Sequence, residues 1–335
     1  MSQLVAVVGG ETLLAREIRE LLRESDPAPH VELISAAMEG TATAGAGTGT
    51  EDEEPVVMTP LSAESLAGSK AAFLAGSAAA SRRALKLNPP KGPALIDLTG
   101  ALEEQTSARL RAPSAEPAGT RGALSERAGI QIIAHPAAIA VAQFLVLLAK
   151  AAPLRRVVVH VFEPASEHGQ RGLDELRQQT VAVLSFQKLK MDVFDAQTGF
   201  NLLARYGEEA LEPLELIEQR VERHLASLLA AWPGVPMPSI RLIQAPVFHG
   251  HSISVWAEFA ENPGVEEIAK TLEEGGVDVR REEPPSNVGI AGQSGISAGA
   301  IAVDANNPRA CWLWAVSDNL RLAAENAVAV GREFL

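Results

Sequence analysis

Seven histidines, one cysteine and 42 acidic residues are the groups with which this 335-residue chain could do acid–base, metal or thiol chemistry. His249 and His251 stand two apart in PVFHGHSISVW, and residues two apart on a strand point to the same face. His135 precedes Pro136 in IIAHPAAIAVAQFLVLL, where a polar turn runs into an apolar helix. Such a helix N-terminus can lower a nucleophile's pKa, because the dipole favours an anion there. The first turn here is Ala137, Ala138, Ile139 and Ala140, and none of these side chains can attack a carbonyl. The one thiol, Cys311, lies in ACWLWAV, where Trp312 and Trp314 alternate with Cys311, Leu313 and Ala315. That alternation reads as a buried strand cysteine.

These groups need elements to hold them. The apolar run Leu4 to Val8 ends at Gly9-Gly10, as a buried parallel strand enters a turn. Leu14, Ile18, Leu21 and Leu22 then share a helical face opposite Arg16, Glu17, Arg19, Glu20 and Arg23. Further strands are predicted at VELISAA (31–37), AAFLAG (71–76) and ALIDLTG (94–100), so this part should be an open, mostly parallel doubly wound sheet. The Gly-, Thr- and acid-rich stretch around 40–54 should be a solvated loop before an edge hairpin, and Pro113 to Gly122 another loop. Beyond it, RRVVVHVFEP supplies a strand. In 252–259, Ile253, Val255, Ala257 and Phe259 alternate with Ser252, Ser254, Trp256 and Glu258, the period of a half-buried strand with helices on one side. Ser317, Asp318 or Asn319 caps a closing helix over about 317–335 that returns to the first domain.

Composition narrows the partners. A net charge of −13 opposes nucleic acid and anionic membrane, and no apolar run reaches the roughly 18 residues of a membrane span. A single cysteine excludes an internal disulfide framework, so a cytoplasmic, soluble protein is expected.

The glycine turn after the first strand, IIAHP before a helix, VVVHVFEPASEHGQRGLDEL, QAPVFHGHSISVWAEF, the Pro285-Ser286-Asn287 region and CWLWAVSDNLRLAAENAV together resemble the aspartate-semialdehyde dehydrogenases from end to end. The resemblance implies an α/β architecture: a Rossmann-like NAD(P)-binding domain over 1–136, and an α+β semialdehyde dehydrogenase dimerisation domain over 137–316. It also implies a homodimer and NADP or NAD as cofactor. In active members a cysteine thiolate attacks the substrate and a histidine handles the proton. His251 keeps the position of that histidine, whereas the nucleophile's place falls on Ala138. The substrate-binding arginine positions fall on Glu103 and Gln244, and the glutamine after VVVHVF falls on Glu163. Loss of both cations removes the clamps for acidic substrates.

The cofactor positions implied by the resemblance are Gly9, Gly10, Thr12, Leu13 and Ser77. Gly9 suits the tight turn and Ala15 helix packing, but Thr12 stands where backbone should approach the pyrophosphate, and Glu11 adds a carboxylate there. Without bound nucleotide, Gly9-Gly10 simply turns the chain out of a strand. Arg82 and Arg83 could meet an anion but read better as an exposed helix face.

The favoured expectation is a catalytically degenerate homologue acting as a binding, regulatory or partner subunit. A second is an NAD(P)-dependent semialdehyde oxidoreductase of amino-acid biosynthesis working by a non-thiol route. A third is a metal-binding hydrolase or ligand-binding protein using His135, His249 and His251, although no metal ligand is assigned and Gly250 threatens the alignment of the last two.

Overall fold

The computed structural model describes residues 3–36, 57–119 and 129–335 and divides into two compact units. The first comprises Met1–Pro113, Ala118–Ala134 and Ala323–Leu335, and the second Ser114–Pro117 and His135–Leu322.

In the first unit the elements run β1 (Leu4–Val8), α1 (Leu13–Arg23), β2 (His30–Ser35), β3 (Thr59–Pro60), α2 (Ala63–Leu66), β4 (Ala71–Leu74), α3 (Ala78–Leu87), β5 (Ala94–Asp97), β6 (Ala108–Arg111) and β7 (Ile130–Ile133). The strands form one sheet in the order β3-β2-β1-β4-β5-β7-β6, every pair parallel. The order reverses at β1, so the crevice beyond the ends of β1 and β4 is the switch point of a doubly wound sheet. Central strands β1, β4 and β5 are almost wholly apolar because both faces are covered. The sheet edge corrects the expected hairpin: β3 lies parallel to β2, with Ile34 opposite Thr59. The loop expected around 40–54 lies outside the described residues, as do 120–128.

The second unit contains α4 (Pro136–Ala151), β8 (Leu154–Glu163), α5 (Gly169–Leu184), α6 (Leu214–Leu229), β9 (Ser239–Gln244), β10 (His251–Phe259), α7 (Val265–Glu274), β11 (Asp278–Arg280), α8 (Asn287–Ile290), β12 (Ser297–Val303), β13 (Ala310–Ser317) and the start of α9 (Asn319–Gly331). Its mixed sheet has the order β11-β12-β13-β10-β8-β9. Helix α4 packs against β8, α6 and α7, which explains why eleven of its 16 residues are buried. The inward row of β10, Ile253, Val255, Ala257 and Phe259, is buried as the alternation requires. On the other face Val158, His160, Phe162, Ser254, Trp256 and Trp314 are half-buried and Trp312 is exposed.

Candidate functional site

The inward rows of the second sheet turn polar at one end. On β8 the row Val157, Val159, Val161 ends in Glu163; on β10, His251 continues the row of Ile253; on β13, Leu313 and Ala315 lead to Ser317; on β9, Leu242 leads to Gln244. Register sets these ends side by side, with Glu163 opposite Gln244 and His251 opposite Ser317. All four are 0% exposed.

Glu163 faces His251, with Oε2 3.2 Å from the imidazole Nε2. After β8 the chain passes Pro164 into a 3-10 turn (Ala165–His168), which brings Glu167 Oε1 to 3.5 Å from the same nitrogen. Asn319 holds that carboxylate by donating Nδ2–H to Oε1 at 3.0 Å, while its Oδ1 accepts from Ser166 Oγ and Gly250 N. His135, the N-cap of α4, closes the cluster: its ring lies 5.9 Å from that of His251, and Nε2 faces Glu167 Oε2 across 3.7 Å. The Ala137 N–H donates to His135 Nδ1 at 3.2 Å, so in the neutral ring the proton sits on Nε2. The backbone N–H of His135 donates to His224 Nδ1 at 2.9 Å.

Gln244 is committed to the framework. Its amide donates to the carbonyls of Glu163 and Ala245, and its oxygen accepts the Tyr206 hydroxyl at 2.6 Å. His168 Nε2 lies 3.1 Å from the same hydroxyl; with that hydroxyl donating to Gln244, the ring nitrogen is the donor.

Burial dominates the electrostatics. It pushes the Glu163 carboxyl up to about 8, with the nearby Glu212 adding to the rise and Arg220 opposing it. Glu167 rises to about 7, first through burial and then through Glu163, against the pull of His251, Asn319 and Arg220. Burial lowers His251, countered by Glu167 and Asp318, and lowers His135 well below the usual imidazole range, helped by His251 and His224. His168 falls to about 4 for the same reason, and the Tyr206 phenol is raised. Burial thus favours the uncharged forms throughout the cluster, imidazoles that give up protons readily beside carboxyls that bind them more tightly than usual. No thiol is within reach. Cys311 pairs with Ala257, six residues along β13 from Ser317, or roughly 20 Å at strand rise, and burial raises its pKa.

Of the positions anticipated in sequence, His135, Glu163, Gln244 and His251 converge. Ala138 is wholly buried in the first turn of α4. His249 does not join them. It precedes Gly250, whose φ of 81° breaks the strand alternation, and β10 begins only at His251. The triad of His135, His249 and His251 is corrected accordingly: among the described residues the group that could hold a metal is His135, Glu163 and Glu167. Glu167, Tyr206 and Asn319 were missed. The usable signal was the spacing of four between Glu163 and Glu167 across a proline, and a tyrosine that is the chain's only one.

In the first unit, Gly9 has φ of 90°, and a Cβ there would run into the backbone of Gly76. Thr12 is the N-cap of α1: its hydroxyl accepts from Ala15 N and donates to Ala75 O. Glu11 accepts from Ala36 N at the end of β2. Gly10 packs toward Leu33 and Met58, Leu13 opens α1, and Ser77 caps α3 through Ala80 N. Glu103 lies half-buried in the turn after β5.

Residues 145–322 match the family described as semialdehyde dehydrogenase, dimerisation domain. The chain is 31% identical over 334 residues to a USG-1 protein homolog of Pseudomonas aeruginosa, covering 98% of this chain and 96% of the relative. The chain belongs to the semialdehyde dehydrogenase family. Within this family it is also 26% identical to the aspartate-semialdehyde dehydrogenase of Prochlorococcus marinus, over 99% of this chain and 95% of that one. The structure of a probable aspartate-semialdehyde dehydrogenase from Pseudomonas aeruginosa superposes with a TM-score of 0.82 at 29% identity, covering 99% of this chain and 98% of that one. Aspartate-semialdehyde dehydrogenase II of Vibrio cholerae, at 20% identity and a TM-score of 0.80 over 99% and 98% of the two chains, shares the fold. The semialdehyde dehydrogenase fold thus consists here of the parallel sheet described above and the mixed sheet that carries the polar row. Among the described residues no helix is long and apolar enough to cross a membrane.

Proposed function

We propose that this chain is a semialdehyde dehydrogenase homologue that no longer performs thiol-dependent acyl chemistry and serves, as a homodimer, as a binding or regulatory subunit. The observation that carries the reading is Ala138: the family resemblance assigns the nucleophile to this position, and a buried methyl group at the start of α4 can form no thioester. The surroundings agree. His251 is turned toward two carboxyls instead of a thiol, and Gln244, at an arginine position of the resemblance, spends its amide on backbone carbonyls and Tyr206. Glu103, at the other arginine position, carries the charge that repels an acidic substrate.

Purified protein is assayed for phosphate-dependent reduction of NADP with aspartate semialdehyde, beside Ala138→Cys. Neither should turn over, because a restored thiol still lacks both substrate cations. Turnover by either protein overturns the proposal. Calorimetric titration of the same preparations with NADP(H) and NAD(H) reports whether the Gly9 turn retains a dinucleotide when Thr12 and Glu11 are already engaged.

A further inference from the structure

The polar end of the second sheet leaves three buried atoms without a partner among the described residues: Glu163 Oε1, His251 Nδ1 and Ser317 Oγ. They belong to adjacent strands and to residues that are 0% exposed, and His251 and Ser317 are direct cross-strand neighbours. Buried polar groups are rarely orphaned; the His251 and Ser317 atoms are neighbours that can satisfy one another, whereas the buried Glu163 carboxyl keeps an oxygen with nothing to meet and marks a site that takes up something further.

We propose that Glu163, Glu167 and His251 bind a divalent first-row transition metal ion of the zinc type. The donor chemistry fits, because two carboxylates and an imidazole supply the oxygen and nitrogen ligands such ions take. The distances from the imidazole fit as well, and oxygens of the two carboxyl groups come within 4.8 Å of each other. Ligands at about 2.0–2.2 Å around a tetrahedral ion stand roughly 3.3–3.6 Å apart, and His251 Nε2 is 3.2 Å from Glu163 Oε2 and 3.5 Å from Glu167 Oε1. A dication also supplies positive charge where two buried carboxyl groups lie against one imidazole.

The surrounding groups assign the roles. Metal-bound imidazole donates its other ring N–H to an acceptor, and the Ser317 hydroxyl is the cross-strand neighbour available to His251 Nδ1. Asn319 orients Glu167 through its 3.0 Å bond. His135 is excluded as a ligand even though its Nε2 points at Glu167, because the Ala137 N–H occupies Nδ1 and keeps the proton on Nε2. Its Nε2 instead faces Glu167 Oε2 across 3.7 Å. Three protein ligands leave a fourth position for water, the composition of an open site.

The proposal is independent of the lost thiol chemistry and is tested apart from it. Untagged full-length protein is stripped with chelator, dialysed against zinc and then against metal-free buffer, and its zinc content is measured, with Tm followed in parallel. One equivalent per chain and a Tm that rises with zinc and falls with chelator are expected. Glu163→Gln and Glu167→Gln should each weaken zinc binding on the order of 100-fold, while His249→Gln keeps the full equivalent. Folding of each variant is checked by circular dichroism, and the wild-type stoichiometry decides even if one variant fails to fold. A wild-type chain that retains no zinc and shows no Tm response overturns the proposal. An equivalent retained unchanged by both folded Gln variants overturns the placement.

Discussion

Gln244 shows how a position that the family resemblance associates with substrate becomes framework. An arginine there would offer a planar fork to an anion; the glutamine instead takes the Tyr206 hydroxyl and two backbone carbonyls, all within the buried end of the sheet. Gln244→Ala should destabilise the protein by about 2 kcal/mol and Tyr206→Phe by about 1 kcal/mol, the usual cost of breaking buried hydrogen bonds. Because both delete the same bond, the double variant should lose less than the sum. Urea unfolding of the four proteins measures this, and strictly additive losses would show that the bond contributes nothing. His251 and Glu163 were legible from sequence as single positions. Their pairing was not, because it depends on two strands ending at the same level, which no spacing within either segment reveals.

At the level of elements, legibility followed periodicity. Strands β1, β2, β4 and β5 and helix α1 were readable because short apolar runs alternate with amphipathic ones. Strands β6 and β7 were not: ARLR carries two arginines, and the buried Arg111 has its guanidinium engaged by Glu333 and Gln131, partners distant in sequence. The parallel edge strand β3 is two residues long and ends in proline, too little for any pattern to register. The glycine turn was read as a phosphate cradle or a plain turn, and its backbone gives it a packing duty in either case. Gly9 sits at positive φ against Gly76, so Gly9→Ala combines the left-handed penalty of about 1–2 kcal/mol with a backbone collision. Thr12→Ala removes an N-cap worth about 1 kcal/mol. Thermal unfolding should therefore place Gly9→Ala well below Thr12→Ala, and Thr12→Ala below wild type. A Gly9→Ala protein as stable as wild type would mean that the two turns do not approach as described.

For the whole molecule, the family domain matched by 145–322 is a dimerisation domain, and one face of the mixed sheet carries side chains that are only half-buried or exposed. Val158, Trp256 and Trp312 lie across β8, β10 and β13 in register, with His160, Ser254 and Trp314 in the next row and Phe162 beyond it. Trp312 is 42% exposed, and its indole N–H and that of Trp256 both donate to Asp304 Oδ2, which fixes the two rings on the sheet surface. Aromatic groups held in place and only partly covered are what the centre of a protein interface is made of. The net charge of −13 would repel two copies at long range, so an association through this face should survive, or strengthen, as salt screens the charge. Light scattering should find a dimer whose stability does not fall with ionic strength, and Trp312→Asp should shift it to monomer while circular dichroism stays native. A wild-type monomer would remove the dimer altogether. A Trp312→Asp protein that stays dimeric would move the interface to another face, and a dimer that dissociates in salt would show that ion pairs hold it instead of the tryptophan rows.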